Sequence, residues 1–282
     1  MKTRVLIALG LCVALSGAYV FGQGGAPQPS KLDIQKIKDD LYVIHNEVVP
    51  GNTTALVTSE GVVLVDDKFP QDHDNIMALL KTVTNQPVKW VINTHHHGDH
   101  SGGNAAMQAM GAVMVASEQA RKLMVDGRMA GLPTVTYKDR GFLHVGGKDI
   151  ELYYFGRAHT SGDTFVLFPQ DRVLASGDVF TFGDATPQLV DYAGGGSARD
   201  WPYTLDGALG LDFDTVVPGH GNVTTRAEMK KFRDDTMAVR TRVHDMITQK
   251  KTKDEIWAML QKDHHWTTFQ QRSVDGLMIE LQ

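Results

Sequence analysis

The segment that most limits what this chain can become is Thr94-His95-His96-His97-Gly98-Asp99-His100, which follows one residue after the strand-like run Val88–Ile92. A chance His-x-His-x-Asp-His at this composition is expected in roughly two chains per thousand. Side chains alternate along an extended segment, so His95 and His97 should point to one side and His96 to the other. Gly98 then lets the chain turn, bringing Asp99 and His100 to a neighbouring position. Neutral imidazoles and a carboxylate suit zinc, whose catalytic sites keep one position open for water. A metal site at a strand end is therefore the first expectation.

The rest of the chain supplies strands for such a site. Leu41–Ile44, Thr54–Val57 and Val62–Val65 read as short strands, with turns at Gly51-Asn52 and Glu60-Gly61. Residues 71–84 have helical spacing through Ile76, Leu79, Leu80 and Val83. A helix over 103–110, a strand over 112–116 and a helix from 117 follow. Residues 127–148, rich in glycine and polar side chains, read as a loop. Strands recur at 150–155, 164–168 and 172–175, and a helix–strand unit covers 199–217. Amphipathic patterns over 224–249 and 252–262 make the last third helical. Consecutive sets of strands with helices between, in two similar halves, predict two β-sheets packed face to face with helices outside. No domain boundary is evident within 32–282.

Three further residues close strand-like runs. His159 opens His159-Thr160-Ser161-Gly162-Asp163 after Tyr153-Tyr154-Phe155-Gly156. Asp178 ends Val173-Leu174-Ala175-Ser176-Gly177, and His220 ends Val216-Val217-Pro218-Gly219. Together with Asp66, which closes Val63-Leu64-Val65, these motifs fall in an order that resembles the metallo-β-lactamase superfamily from about residue 40 to 222.

The resemblance implies an α/β fold, a single-domain αββα four-layer sandwich with its site at one edge, between the sheets. It implies two zinc ions per chain. One would take His95, His97 and His159, the other Asp99, His100 and His220, and Asp178 would bridge them. Zinc lowers the pKa of water toward neutrality, so a hydroxide between the metals would attack a carbonyl, or less commonly a phosphoryl or sulfuryl centre. Asp99 would orient the nucleophile and carry a proton. Asp66 is expected to hold a histidine ring rather than to ligate.

This sequence departs from part of that family. Two subclasses of true metallo-β-lactamases carry a zinc-binding cysteine where this chain has Asp178. A third uses the Asp99-His100 pair but usually has serine at the bridging place. An aspartate there is more typical of relatives that open lactones or cleave thioesters, phosphodiesters or sulfate esters. The expected function is zinc-dependent hydrolysis of an ester, lactone or lactam-type carbonyl in a small-molecule substrate. The alternatives are a β-lactamase acting on antibiotics and, from another class, an iron-dependent persulfide-type oxygenase. Fold alone does not choose among them.

The N-terminus bears on location. Lys2 and Arg4 precede the apolar run Val5–Leu15, and small residues follow at Ser16, Gly17, Ala18 and Gly22. That is the layout of a secretory signal peptide over 1–22, with a flexible leader over 23–31, and it predicts a periplasmic or secreted protein without a membrane span after cleavage. Cys12 is the only cysteine, so the cleaved chain would have neither a disulfide nor a thiolate ligand. The net charge of −5, with acids and bases interspersed, leaves no basic stripe for nucleic acid. His45, His73, His144, His244, His264 and His265 are expected in surface or capping roles. Phe182, Tyr192 and Trp201 divide evenly between core packing and substrate contact, and Gly194-Gly195-Gly196 is expected to be a mobile loop. Oligomeric state is open.

Overall fold

The structure, a computed structural model, describes residues 28–46, 49–183 and 189–282. The expected signal peptide over 1–22 and the first part of the leader lie outside the described residues; Gln28–Lys31 run without regular structure.

The first half builds β1 (Asp33–Lys36), β2 (Leu41–His45), β3 (Thr53–Thr58), β4 (Gly61–Val65), α1 (His73–Leu80), β5 (Val88–Ile92), the single turn α2 (Gly98–Ser101), α3 (Asn104–Ala109), β6 (Val113–Ser117), α4 (Glu118–Asp126) and β7 (Val135–Tyr137). These seven strands form one sheet in chain order. Pairing is antiparallel from β1 to β4 and parallel from β4 to β7. The second half adds β8 (Arg140–Val145), β9 (Lys148–Tyr153), β10 (Phe165–Phe168), β11 (Val173–Ala175), α5 (Trp201–Leu209), β12 (Thr215–Val217), β13 (Thr224–Thr225), α6 (Arg226–Thr248), α7 (Lys253–His264) and α8 (Val274–Glu280). Its sheet runs β13-β12-β11-β10-β9-β8, with only β11–β12 parallel.

Strand alternation explains the layering. In β4 every residue is buried. Val63 and Val65 face Leu152, Val166 and Phe168 across the gap between the sheets, while Val62 and Leu64 pack on Ile76, Leu80 and Met107 of the first helical layer. A strand covered on both faces must be apolar at every position, hence the unbroken Val-Val-Leu-Val. On the far side, Phe165, Leu167, Leu174 and Val216 alternate outward onto Trp201, Leu205, Met229, Val243, Ile256 and Leu260 of α5, α6 and α7. The result is the αββα order.

Three local expectations need correction. Residues 127–148 are not all loop: they hold β7 and β8. In β8 Gly141, Leu143 and Val145 turn inward while Phe142 is exposed, and it is an edge strand paired to β9 alone, so a glycine inside and a phenylalanine outside blurred the period-two signal. The helix expected over 71–84 stops at Leu80, and turns replace its last residues. The helical last third extends beyond 262, through α8, which buries Val274 and Leu277.

Candidate metal centre

The edge where β4, β5, β11 and β12 end gathers the chemistry. Parallel strands point their carboxyl ends the same way, and the loops after them form the usual crevice of an open α/β sheet. Asp66 follows β4, His95 follows β5, Asp178 follows β11 and His220 follows β12.

The histidine segment is bent rather than fully extended. Residues 94–96 form bends, His97 has φ −65° and ψ 146°, and α2 begins at Gly98. Ser101 Oγ donates to the carbonyls of His96 and His97, both at 3.1 Å, closing the turn. His95 is buried, and its Nδ1 lies 3.1 Å from Thr94 Oγ1. Alternation predicts that His96 faces away, but the bend turns it toward Asp191 (Nε2 to Oδ2, 3.8 Å) beside His97.

Two donor groups lie side by side, and a third, His96, His97 and Asp191, shares His97 with the first. His95, His97, His159 and Asp178 offer one ligand atom each, all within 4.8 Å of one another; Asp99, His100 and His220 do the same. Asp178 stands between them. Its Oδ2 lies 3.5 Å from His159 Nε2 and 3.9 Å from His95 Nε2, and its Oδ1 lies 3.1 Å from His100 Nε2 and 3.4 Å from His220 Nε2. Asp99 Oδ2 is 3.4 Å from His220 Nε2 and 3.7 Å from His100 Nε2. All seven residues expected as ligands are thus brought together. None of the other six histidines set aside above joins a donor group among the described residues.

The outward ring nitrogens are held from behind. His100 Nδ1 donates to Asp66 Oδ2 at 2.8 Å, and Asp66 is fixed by Thr94 N and Thr94 Oγ1, each at 2.7 Å. His159 Nδ1 donates to Leu189 O at 2.6 Å, and His97 Nε2 donates to Asp191 Oδ2 at 2.9 Å. Asp66 does what the sequence reading expected. Asp191 was not anticipated: it sits in no motif, and nothing around it in the chain distinguishes it from a loop acid.

Burial pushes His95 well below the usual imidazole range and His159 down to about 4, so these rings are neutral donors. Burial would also lower His100 and His220, but the carboxylates of Asp178 and Asp99 outweigh it, raising His100 and carrying His220 to about 10. Burial would raise Asp99, yet His100 and His220 bring it to about 2. A pocket that favours positive charge this strongly suits a cation, which would take the place of those protons. The fit is also geometric. His95 Nε2 is buried without a hydrogen bond, the state of a ligand atom left free to coordinate. A methyl at Gly219 would overlap Asp178 Oδ1, and one at Gly51 would overlap the His100 ring, so both glycines clear space for the ligands. The residues fit a metal centre.

The glycine run expected to be mobile is a packed turn. Gly194 O accepts from Ser161 N at 2.9 Å, Gly196 N donates to Asp191 O at 2.8 Å, and any side chain at Gly196 would collide with His159 O. Trp201 is core, its Nε1 donating to Val179 O at 2.9 Å.

Comparison with known proteins agrees with this geometry. The sequence profile of the metallo-beta-lactamase superfamily matches residues 46–220. A metallo-beta-lactamase type 2 of Elizabethkingia meningoseptica is 27% identical over 212 residues, covering 73% of this chain and 82% of its own. One of Bacillus sp. (strain 170) is 27% identical over 250 residues, covering 79% and 95%. Among solved structures, a metallo-beta-lactamase from Pontibacter korlensis superposes with TM-score 0.66 at 24% identity, over 73% of this chain and 99% of that one. DIM-1 metallo-beta-lactamase gives 0.64 at 19%, over 74% and 98%. The chain belongs to the metallo-β-lactamase superfamily and is a metallo-hydrolase of that superfamily.

Proposed function

We propose that this member of the metallo-β-lactamase superfamily is a two-zinc hydrolase that cleaves an ester- or lactone-type carbonyl in preference to a β-lactam. The observation that carries this reading is the division of the Asp178 carboxylate, one oxygen toward each donor group. His95, His97 and His159 would hold one ion, Asp99, His100 and His220 the other, with Asp178 shared. When bound, zinc supplies Lewis acidity toward a carbonyl oxygen and brings the pKa of water near neutrality.

The chain's own groups do the rest. Asp99, about one-fifth exposed, is the carboxylate of its group that reaches solvent. It is placed to orient water and to pass a proton at Oδ2. Asp178 adds negative charge between the two groups, which partly offsets their pull on an anionic intermediate. That cost weighs most when the leaving group is an amide nitrogen, which needs a proton as the bond breaks; an alkoxide or thiolate does not. The apolar run Val5–Leu15 supports an exported enzyme. Among the described residues no helix is long and apolar enough to cross a membrane.

The test compares catalytic efficiencies of wild type and Asp178→Ser on one lactone and one penicillin. Wild type should favour the lactone, and the serine variant should lose lactonase activity and shift toward the lactam. A wild type that hydrolyses penicillins far better than any lactone would overturn the ranking in favour of a β-lactamase. That second reading has one observation behind it: the curated relatives at 27% identity are named metallo-beta-lactamases. Bound iron instead of zinc in the purified protein would point to the oxygenase class.

A further inference from the structure

Residues 221–282 lie beyond the stretch matched to the family, and they include α6, α7 and α8. Glu280, at the end of α8, is the most heavily bonded carboxylate in this part. Its Oε2 accepts from Tyr192 Oη and Ala198 N at 2.9 Å and from Arg199 N at 3.3 Å, and its Oε1 accepts from Ser197 Oγ at 2.5 Å. Its carbonyl accepts from the Arg199 guanidinium. Just before α8, Ser273 Oγ donates to Val190 O at 2.9 Å. Gly276 leaves room for the Tyr192 ring, which a methyl there would strike. Glu280 thus grips the segment 189–199 at four of its residues, and Ser273, before the other end of the helix, holds a fifth.

That segment touches the first histidine group and not the second. Leu189 O accepts from His159 Nδ1, and Asp191 Oδ2 accepts from His97 Nε2. Asp191 N donates to His159 O at 2.9 Å. The second group is oriented from elsewhere, through Asp66 on His100.

We propose that Glu280 is a positioning residue for the metal centre: by clamping residues 189–199 it sets the ring orientations of His97 and His159, and so the affinity of the His95–His97–His159 site alone. This rests on the two-metal reading above. Removing the partner of a ligand's outer nitrogen costs 10–100-fold in metal affinity. Glu280 acts one step further out, so Glu280→Ala should weaken the first site by about tenfold, the low end of that range. The second site should hold its affinity.

The experiment titrates the full-length purified protein with zinc and with cobalt(II) against a chromophoric chelator, resolving two dissociation constants. The cobalt spectrum serves as a second reading of ligand geometry. Glu280→Ala should raise the dissociation constant of the first site and alter its cobalt bands. Glu280→Gln, which keeps one acceptor oxygen, should fall between it and wild type. If Glu280→Ala does not fold, Tyr192→Phe with Ser197→Ala removes two of the bonds while sparing α8 and should weaken the first site several-fold. Unchanged affinity at both sites in the folded variants overturns the proposal, and so does equal loss at both. A wild type that binds no metal overturns the two-metal reading instead.

Discussion

The buried carboxylate of Asp66 accepts a hydrogen bond from His100 Nδ1 at 2.8 Å, which leaves His100 Nε2 aimed at Asp99, Asp178 and His220. Asp66 itself has φ +63°, a left-handed conformation that only a few per cent of non-glycine residues adopt and that recurs at functional sites. Replacing Asp66 by Ala should leave His100 free to rotate and to change tautomer. Affinity at the second metal site should drop about 10–100-fold while the first is spared. Chelator competition on the purified variant reads both constants, and equal loss at the two sites would contradict the division drawn here.

Seven donors with one shared are enough for two ions, so zinc analysis at saturation should give about two per chain. Because the unfolded chain has no such site, loading should raise the melting temperature and chelation should lower it, by an amount that grows with free zinc. One ion per chain at full activity would remove Asp178 from its shared role.

His96→Ala should keep the metal content and most activity, because the ring joins neither the His95 nor the His100 group, only a third one with His97 and Asp191. His97→Ala should lose metal from the first site and nearly all turnover, since an open catalytic site has only three protein ligands. The pair of variants needs metal analysis and a rate assay. Matching damage from both would show that His96 is a ligand after all.

Lys68 is fully buried, its ammonium donating to Gly51 O at 2.5 Å. Burial lowers it from 10.5 to about 7, against the opposing pull of Asp72, Asp66 and Asp99. Between those two values the unfolded chain binds more protons at this residue than the fold does, so its contribution to stability rises with pH from about 7 to 10.5 and is flat below. Denaturant midpoints of wild type and Lys68→Met, compared at about pH 6.5 and 9.5, should diverge in favour of wild type at the higher pH, by a few kcal/mol at most. A constant difference would mean that Lys68 titrates normally.

Much of this was readable along the chain, and the reason differs by residue. The strand Val62–Val65 was legible because burial on both faces demands an apolar run, and His95, His97, Asp99 and His100 because their spacing is so improbable by chance. Asp66 was legible as the first motif of the series that resembles the family. The strand Arg140–Val145 was not, because glycine at 141 faces inward and phenylalanine at 142 outward, against the usual alternation. The helix Val274–Glu280 was missed too: it is short, and its partners lie 82 and 83 residues back.

What the sequence determined by itself was the strand ends and the His95–His100 cluster, which follow from local period and spacing; His159, Asp178 and His220 became candidates only through the order of motifs that resembles the family. The tertiary structure alone decided how those side chains are oriented and what holds them from behind. Asp178 reaches His95 on one side and His220 on the other only because β11 lies beside β12 and the two sheets meet at one edge. Asp191 bonds His97 across 94 residues, and Glu280 holds the segment on which Asp191 sits. A hydrogen bond needs one donor and one acceptor at about 2.9 Å, and any loop acid can supply the acceptor. Nothing in its neighbours along the chain marks the one that folding will bring there.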